Sequence, residues 1–107
     1  MYNKNVERKL IKMNNKKTLR NFWYNHYEYE MIATYDNFIG LVNIDIRKIL
    51  YPHRRFFRSV LVKTRYIDVN DYDTLEDGCS QCFNDYVKEL IRYDAKQKKL
   101  EKFFEKA

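Results

Sequence analysis

The chain has 107 residues, enough for one domain, and its hydrophobic fraction of 45%, with 17% aromatic residues, is sufficient to build a core. Two Gly and one Pro are too few for a disordered or loop-rich chain, and no apolar run approaches the roughly 18 residues of a membrane span. Two Cys make no disulfide framework and no secretory leader pattern is present, so we expect a cytoplasmic protein.

Positive charge is concentrated in the N-terminal part of the chain, which has a formal net charge of +6. The first 20 residues carry seven Lys and Arg and one Glu, and we interpret residues 1–17 as a basic arm before a single domain over residues 18–107. The apolar positions of residues 2–14 form only a weak helical stripe, so a helical segment and a flexible tail both stay open. Apolar side chains recur at helical spacing over residues 18–26 and predict a short amphipathic turn.

Alternating apolar and polar residues predict a β-hairpin over residues 27–46, with its turn at Asp36 and Asn37. Asp and Asn both tolerate the backbone conformations of tight turns, and the second half of the segment is rich in the Ile and Val typical of strands. An alternative in which residues 18–35 and 43–51 are helices stays open, since short apolar runs fit either pattern.

A third strand is predicted over residues 56–67, after Pro52 interrupts the chain. A long amphipathic helix then begins at Thr74, which has the side chain of an N-cap, with Glu76 and Asp77 in the first turn, where the helix dipole favours acids. Because Gly78 weakens that first turn, a start at Ser80 is the alternative. These elements predict an α+β fold, in which a small antiparallel sheet of about three strands packs against a long C-terminal helix.

The C-terminal helix is predicted to be longer than the domain that it packs on. From residue 80 to residue 105 it would measure about 39 Å, against a domain diameter of roughly 30 Å, so its far end must project, bend or pack against another molecule. Three apolar side chains near that end form a candidate partner-binding site: Leu100, Phe103 and Phe104. Docking of a partner protein and formation of a homodimer are alternative uses of this site, and a helix that is shorter or folds back would require neither.

The residue types needed for catalysis are not arranged in a recognisable site. Gly40 and Gly78 do not form a Gly-rich phosphate loop, and neither Ser59 nor Ser80 lies in a nucleophile-elbow pattern. We therefore expect a protein that is not an enzyme and that uses no cofactor or metal.

Cys79 and Cys82 form a CxxC pair near the start of the predicted helix. The spacing is typical of two small apolar residues on the buried face, whereas a redox pair would normally follow a strand in a βαβ unit. A zinc site that also used His26 and His53 is an alternative, although only the Cys pair has ligand-like spacing.

A dense basic segment is followed by an equally dense acidic one. Residues 46–67 carry seven basic side chains and no acid, whereas residues 68–94 carry eight acids against Lys88 and Arg92. Basic side chains interleaved with aromatic ones can bind phosphates and stack bases, unless the acids fold over them and neutralise them. The candidate nucleic-acid-binding residues are Lys16, Lys17, Arg20, Arg47, Lys48, Arg54, Arg55, Arg58, Lys63 and Arg65, with Phe56, Phe57 and Tyr66 as candidate stacking residues.

These patterns predict a small non-catalytic protein that contacts nucleic acid or a nucleoprotein through a basic surface and does not act at a membrane. The alternative is a small regulator or inhibitor of the kind that phages and other mobile elements encode. Such a protein would bind a host protein, for example a nuclease complex, through charged and aromatic surfaces. High charge, many aromatic residues and the lack of catalytic motifs fit both hypotheses.

Overall fold

A computed structural model describes residues 16–106 of the chain. These residues form a four-stranded antiparallel sheet, ordered β1-β2-β3-β4, with one long helix packed on one face. The elements in chain order are β1 (Lys16–Tyr24), β2 (Tyr27–Asp36), β3 (Leu41–Ile49), β4 (Ser59–Ile67), a short 3-10 helix (Val69–Asp71) and α1 (Leu75–Glu105). The predicted α+β fold is confirmed, with four strands instead of about three. The predicted basic arm lies outside the described residues, except for its last two, which begin β1.

The first strand, β1, was missed by the sequence analysis. The prediction of a helical turn over residues 18–26 is wrong. Residues 18–24 belong to a strand that pairs with β2, and residues 25 and 26 form the turn after that strand. A bulge adds one residue to β1, so that Leu19 and Phe22, three residues apart, pair with residues only two apart on β2. Within the bulge, Asn21 has a φ of 72°. Leu19 and Phe22 can therefore both pack against the core, although their spacing is that of a helix.

The hairpin of β2 and β3 is confirmed, but its turn is longer than predicted. Strand β3 begins at Leu41, so residues 37–40 form the turn. A side-chain oxygen of Asp36 accepts a hydrogen bond from the Phe38 amide, and the Asp36 carbonyl accepts one from the Gly40 amide, both at 2.9 Å. Gly40 has a φ of 69°, in the left-handed region where glycine meets no steric penalty.

The hydrophobic core lies between α1 and one face of the sheet. Its buried side chains are Tyr29, Met31, Ala33, Val42, Ile44, Ile46, Ile67, Cys79, Cys82, Phe83 and Tyr86. The helix begins as predicted, because Thr74 Oγ1 accepts a hydrogen bond from the Asp77 amide at 3.1 Å. Gly78 allows the first turn to approach the sheet closely, since a Cβ atom at this position would lie 2.5 Å from Cδ1 of Ile67.

Helix α1 runs past one end of the sheet. We call this the loop end, because it holds the β1–β2 turn and the connection from β3 to β4. Leu90 and Asp94 line a shallow cavity with Lys48 at the loop end. The 31-residue helix is about 46 Å long, and beyond this cavity the side chains of residues 95–106 are exposed, apart from the half-buried Gln97. Residues 95–106, which we call the helix tip, therefore project beyond the sheet. Across residues 16–106, no helix is both long and apolar enough to span a bilayer.

Candidate nucleic-acid interface

One carboxylate of the acidic segment pairs with two of the basic residues on β4. Glu89 of α1 pairs with Lys63, with 3.3 Å between Nζ and Oε2, and also accepts a hydrogen bond from the guanidinium of Arg65. The Nε atom of Arg65 is buried and has no hydrogen-bond partner among the described residues. Lys63 and Arg65 therefore join the sheet to the helix, and Glu89 balances one of their two positive charges.

Two further candidates pair with carboxylates on β2. Arg20 Nη2 lies 3.1 Å from Oε1 of Glu28, beside the bulge of β1, and Arg58 Nη2 lies 2.9 Å from Oε2 of Glu30. The two pairs differ in burial. Arg20 is exposed, so its pair contributes little to stability, whereas Glu30 is only 7% exposed and its pair is largely withdrawn from water.

Arg47 and Lys48, at the end of β3, contact neutral groups within the domain. Arg47 donates from Nε to Ser59 Oγ and from Nη2 to the Ser59 carbonyl, both at 3.0 Å. Lys48 Nζ lies 3.9 Å from the centroid of the Tyr27 ring, a cation–π contact. Both keep their full charge but are held close to the sheet.

Four candidates are exposed without a carboxylate partner within residues 16–106, and they lie in two places: Lys16, Lys17, Arg54 and Arg55. Lys16 pairs with Thr34 near the end of the sheet opposite the loop end, whereas Arg54 and Arg55 lie in the connection after β3. About 20 Å of strand separates the two places. The two predicted basic segments therefore do not merge into one surface over the described residues.

Residues 50–58, which connect β3 to β4, form what we call the arginine–aromatic loop. The amides of Leu50 and Tyr51 close its base by donating to the Arg58 carbonyl, at 2.8 and 3.0 Å. Inside the loop the Arg54 amide donates to the Tyr51 carbonyl at 3.1 Å, and the Arg54 guanidinium lies 4.1 Å from the centroid of the Tyr51 ring. Arg54 is thus positioned by the main chain and by a cation–π contact, while its charge has no carboxylate partner in the described part of the chain.

Two adjacent phenylalanines near the end of the loop are exposed. Phe56 is 73% exposed and Phe57 is 89% exposed. Phe57 has a φ of 55°, a left-handed conformation that bulky side chains rarely adopt, and backbone strain of this kind clusters at functional sites. The third candidate for stacking, Tyr66, is also exposed but pairs with Asn43, towards the opposite end of the sheet. The loop therefore brings two of the three candidate stacking residues next to Arg54 and Arg55.

Glu30 fixes the base of this loop. Its Oε1 accepts a hydrogen bond from Ser59 Oγ at 3.1 Å, and its Oε2 accepts the one from Arg58 at 2.9 Å. Sequence analysis did not single out Glu30, because Glu28 and Glu30 occupy equivalent polar positions of the strand pattern. It also missed Tyr51, although its place directly before Pro52, in a basic segment, was an available signal.

The candidate partner-binding residues lie on the helix tip. Leu100, Phe103 and Phe104 are all exposed, and the two phenylalanine rings lie perpendicular to each other with centroids 5.8 Å apart. Within residues 16–106, no side chain covers this apolar face, which lies on a segment that extends beyond the sheet.

The Cys and His residues do not come together. Cys79 and Cys82 are free thiols in the core, whereas His26 and His53 lie in exposed connections, and no metal-binding group of three or more His, Cys, Asp or Glu occurs in residues 16–106. Burial raises the pKa of the Cys79 thiol to about 11, with Cys82 and Glu76 adding to the rise, and burial also raises the pKa of Cys82. Both thiols are therefore protonated near neutral pH, which fits packing and disfavours a redox role.

No protein-family model, no curated protein and no solved structure matches this chain, so its function is argued from the geometry of the loop and the helix tip.

Proposed function

We propose that the protein is a non-catalytic binding protein that contacts nucleic acid, free or in a nucleoprotein, through the arginine–aromatic loop. The observation that carries this proposal is the juxtaposition of Arg54 and Arg55, which lack a carboxylate partner in residues 16–106, with the exposed rings of Phe56 and Phe57. Arginines release counterions when they neutralise phosphates, and aromatic rings stack on bases, so the four residues supply both kinds of contact in one loop.

Contacts within the domain involve six of the ten candidate residues. Lys63 and Arg65 share Glu89, Arg58 pairs with the buried Glu30 and Arg20 with Glu28, whereas Arg47 and Lys48 contact Ser59 and the Tyr27 ring. Substitution of Arg58, Lys63 or Arg65 would therefore disturb folding as well as binding. The proposed interface consists of Arg54, Arg55, Phe56 and Phe57, with Lys16 and Lys17 too distant to contact the same few nucleotides.

We expect the double variant Arg54→Ala/Arg55→Ala to bind nucleic acid about tenfold or more weakly at low salt, because two charge-assisted contacts are lost. The slope of log affinity against log salt concentration should also decrease in magnitude by about 1.4 for a single strand, which is the value for two lost phosphate contacts. Fluorescence anisotropy with a labelled oligonucleotide, at several salt concentrations, measures both quantities.

The matched control is Lys88→Ala/Arg92→Ala, which removes the same charge from exposed positions of α1. Net charge alone would make both double variants lose the same affinity, and that result would contradict the proposal. Arg58 is left intact in this experiment because its side chain holds the loop through Glu30.

A second function is favoured by the helix tip. The tip carries five Lys against two Glu, a charge of +3, around its exposed apolar face. Two copies of the tip would therefore repel each other, whereas a partner with an apolar groove and acidic edges would match both the face and the charge. We propose such a host protein as the alternative partner, in which case the chain acts as a small regulator or inhibitor.

We expect Phe103→Ser/Phe104→Ser to abolish capture of that host protein from nuclease-treated lysate, while Phe56→Ser/Phe57→Ser leaves capture unchanged. Nuclease treatment removes proteins that are bridged by nucleic acid. Equal capture by both variants would contradict a role for the tip. If the wild-type protein sediments as a dimer and only the tip variant sediments as a monomer, the partner of the tip is a second copy of this chain and not a host protein.

A further inference from the structure

We propose that the arginine–aromatic loop selects unpaired nucleotides, so that its ligand is single-stranded DNA or RNA and not a duplex. This inference rests on the proposed function of the loop, and it states which form of nucleic acid the loop binds.

Both phenyl rings of the loop are exposed. Phe56 and Phe57 present apolar surface to water at adjacent positions, with 73% and 89% exposure. The base faces of a duplex are covered by neighbouring base pairs, so a phenyl ring reaches them only by wedging a step open. In a single strand the base faces are accessible, and stacking on an aromatic ring needs no particular base.

Few basic groups of the loop are free to contact a ligand. Within the described residues, Arg54 and Arg55 are the exposed loop arginines without a carboxylate partner. Arg47 and Lys48 also lack one, but Ser59 and the Tyr27 ring hold them close to the sheet, and Lys16 and Lys17 lie at its opposite end. A protein that binds a duplex by neutralising roughly 6–10 phosphates loses most of its affinity as salt rises. With about two phosphate contacts from the described part of the loop, stacking must supply much of the affinity there, and a single strand is the ligand that permits it.

The loop is held in its conformation before any ligand binds. Two amides close its base on the Arg58 carbonyl, Glu30 holds the side chains of Arg58 and Ser59, and the Tyr51 ring holds Arg54. Phe57 is kept in a left-handed conformation although its side chain packs against little of the described protein. A loop with this many internal contacts loses less conformational entropy on binding than a flexible one.

The test compares three labelled probes of about 20 nucleotides, which are oligo-dU, oligo-rU and a mixed-sequence DNA duplex. Wild-type protein should bind one or both single strands at least tenfold more tightly than the duplex. The ratio between the affinities for oligo-dU and oligo-rU tells whether the 2′-hydroxyl is favoured, since both probes carry the same base and the same phosphates.

The variant Phe56→Ala/Phe57→Ala should lose about 10-fold to 100-fold in affinity for single strands, while its salt dependence stays that of the wild type because no charge is removed. Phe57→Gly keeps the left-handed backbone without strain and should lose affinity in the same way, whereas Phe56→Trp keeps a stacking surface and should retain it. The matched control is Phe103→Ala/Phe104→Ala, which removes two phenyl rings of similar exposure, 71% each, from the helix tip.

The outcomes separate this inference from the proposed function. Duplex binding as tight as single-strand binding, lost in Arg54→Ala/Arg55→Ala but not in Phe56→Ala/Phe57→Ala, would overturn the selection of unpaired nucleotides and leave nucleic-acid binding intact. Absence of binding to all three probes would overturn both. An equal loss in the Phe103→Ala/Phe104→Ala control would move the site from the loop to the helix tip.

Discussion

Replacement of Glu30 by Ala is expected to lower the free energy of unfolding by about 3 kcal/mol, because it removes one partner of an ion pair that is mostly buried. Glu30 is 7% exposed and accepts hydrogen bonds from Arg58 and Ser59, which lose their acceptor in the variant. The value lies at the low end for buried pairs, since the Arg58 side chain keeps 29% of its surface exposed and can recover some hydration. The midpoint of thermal unfolding should fall by about 10 °C or more.

The variant Glu30→Gln removes the negative charge of Glu30 but leaves the shape of the side chain almost unchanged. It keeps the size of the side chain and one acceptor oxygen, so we expect a smaller loss of about 2 kcal/mol, within the range for a hydrogen bond to a charged group. Hydrogen exchange should accelerate at the amides of Leu50 and Tyr51, which close the base of the loop. The control is Glu101→Gln, at an exposed site of the helix tip, and unfolding curves that coincide for the two Gln variants would show that Glu30 contributes nothing.

The start of α1 was predictable because its signals are local. The cap joins Thr74 to the Asp77 amide, three residues further on. The apolar side chains of the stripe that follows recur every three or four residues, so a short stretch of sequence is enough to show the pattern. The length of the helix could also be inferred, since neither Gly nor Pro interrupts it after Gly78. Comparison of helix length with domain size then predicted that the far end projects, bends or packs against another molecule, and the structure shows that it projects.

The strand β1 was not predictable from its own residues, because a bulge changes the spacing of its apolar side chains. Leu19 and Phe22 face the core three residues apart, which is the period of a helix, and only their pairing with β2 makes the segment a strand. Two Asn residues of this region, Asn21 and Asn25, have positive φ and tolerate it better than most residues. Without knowledge of the partner strand, the pattern favours the wrong element.

The fate of the basic residues depended on contacts between segments far apart in sequence. Arg58 and Glu30 are 28 residues apart, and Arg65 and Glu89 are 24 apart, so charge counts along the chain could not show which arginines would be neutralised. The sequence left open whether the acidic segment covers the basic one. In the structure Glu89 of α1 pairs with Lys63 and Arg65 on β4, whereas within the described residues no acid of that segment pairs with Arg54 or Arg55. The candidate interface is therefore reduced to one loop, residues 50–58, whose basic and aromatic residues can be read in the sequence.

Replacement of Phe83 by Ala is expected to lower the free energy of unfolding by about 3–5 kcal/mol, as for other buried aromatic residues. Phe83 is 7% exposed, and the centroid of its ring lies 5.3 Å from the ring centroids of both Phe22 and Tyr29. Phe83 therefore joins α1 to two strands. The same substitution at Phe104, on the same helix but 71% exposed, should change stability by less than about 0.5 kcal/mol.

Urea unfolding of the two Phe→Ala variants therefore tests whether the two halves of α1 have different roles. A large loss at Phe83 with almost none at Phe104 means that folding requires the first half and leaves the tip free to bind a partner. Equal losses would mean that the tip is packed in the folded protein, and the argument for a host-protein site on residues 95–106 would fail. The comparison needs no knowledge of any ligand, because the only difference between the two sites is what the phenyl ring contacts.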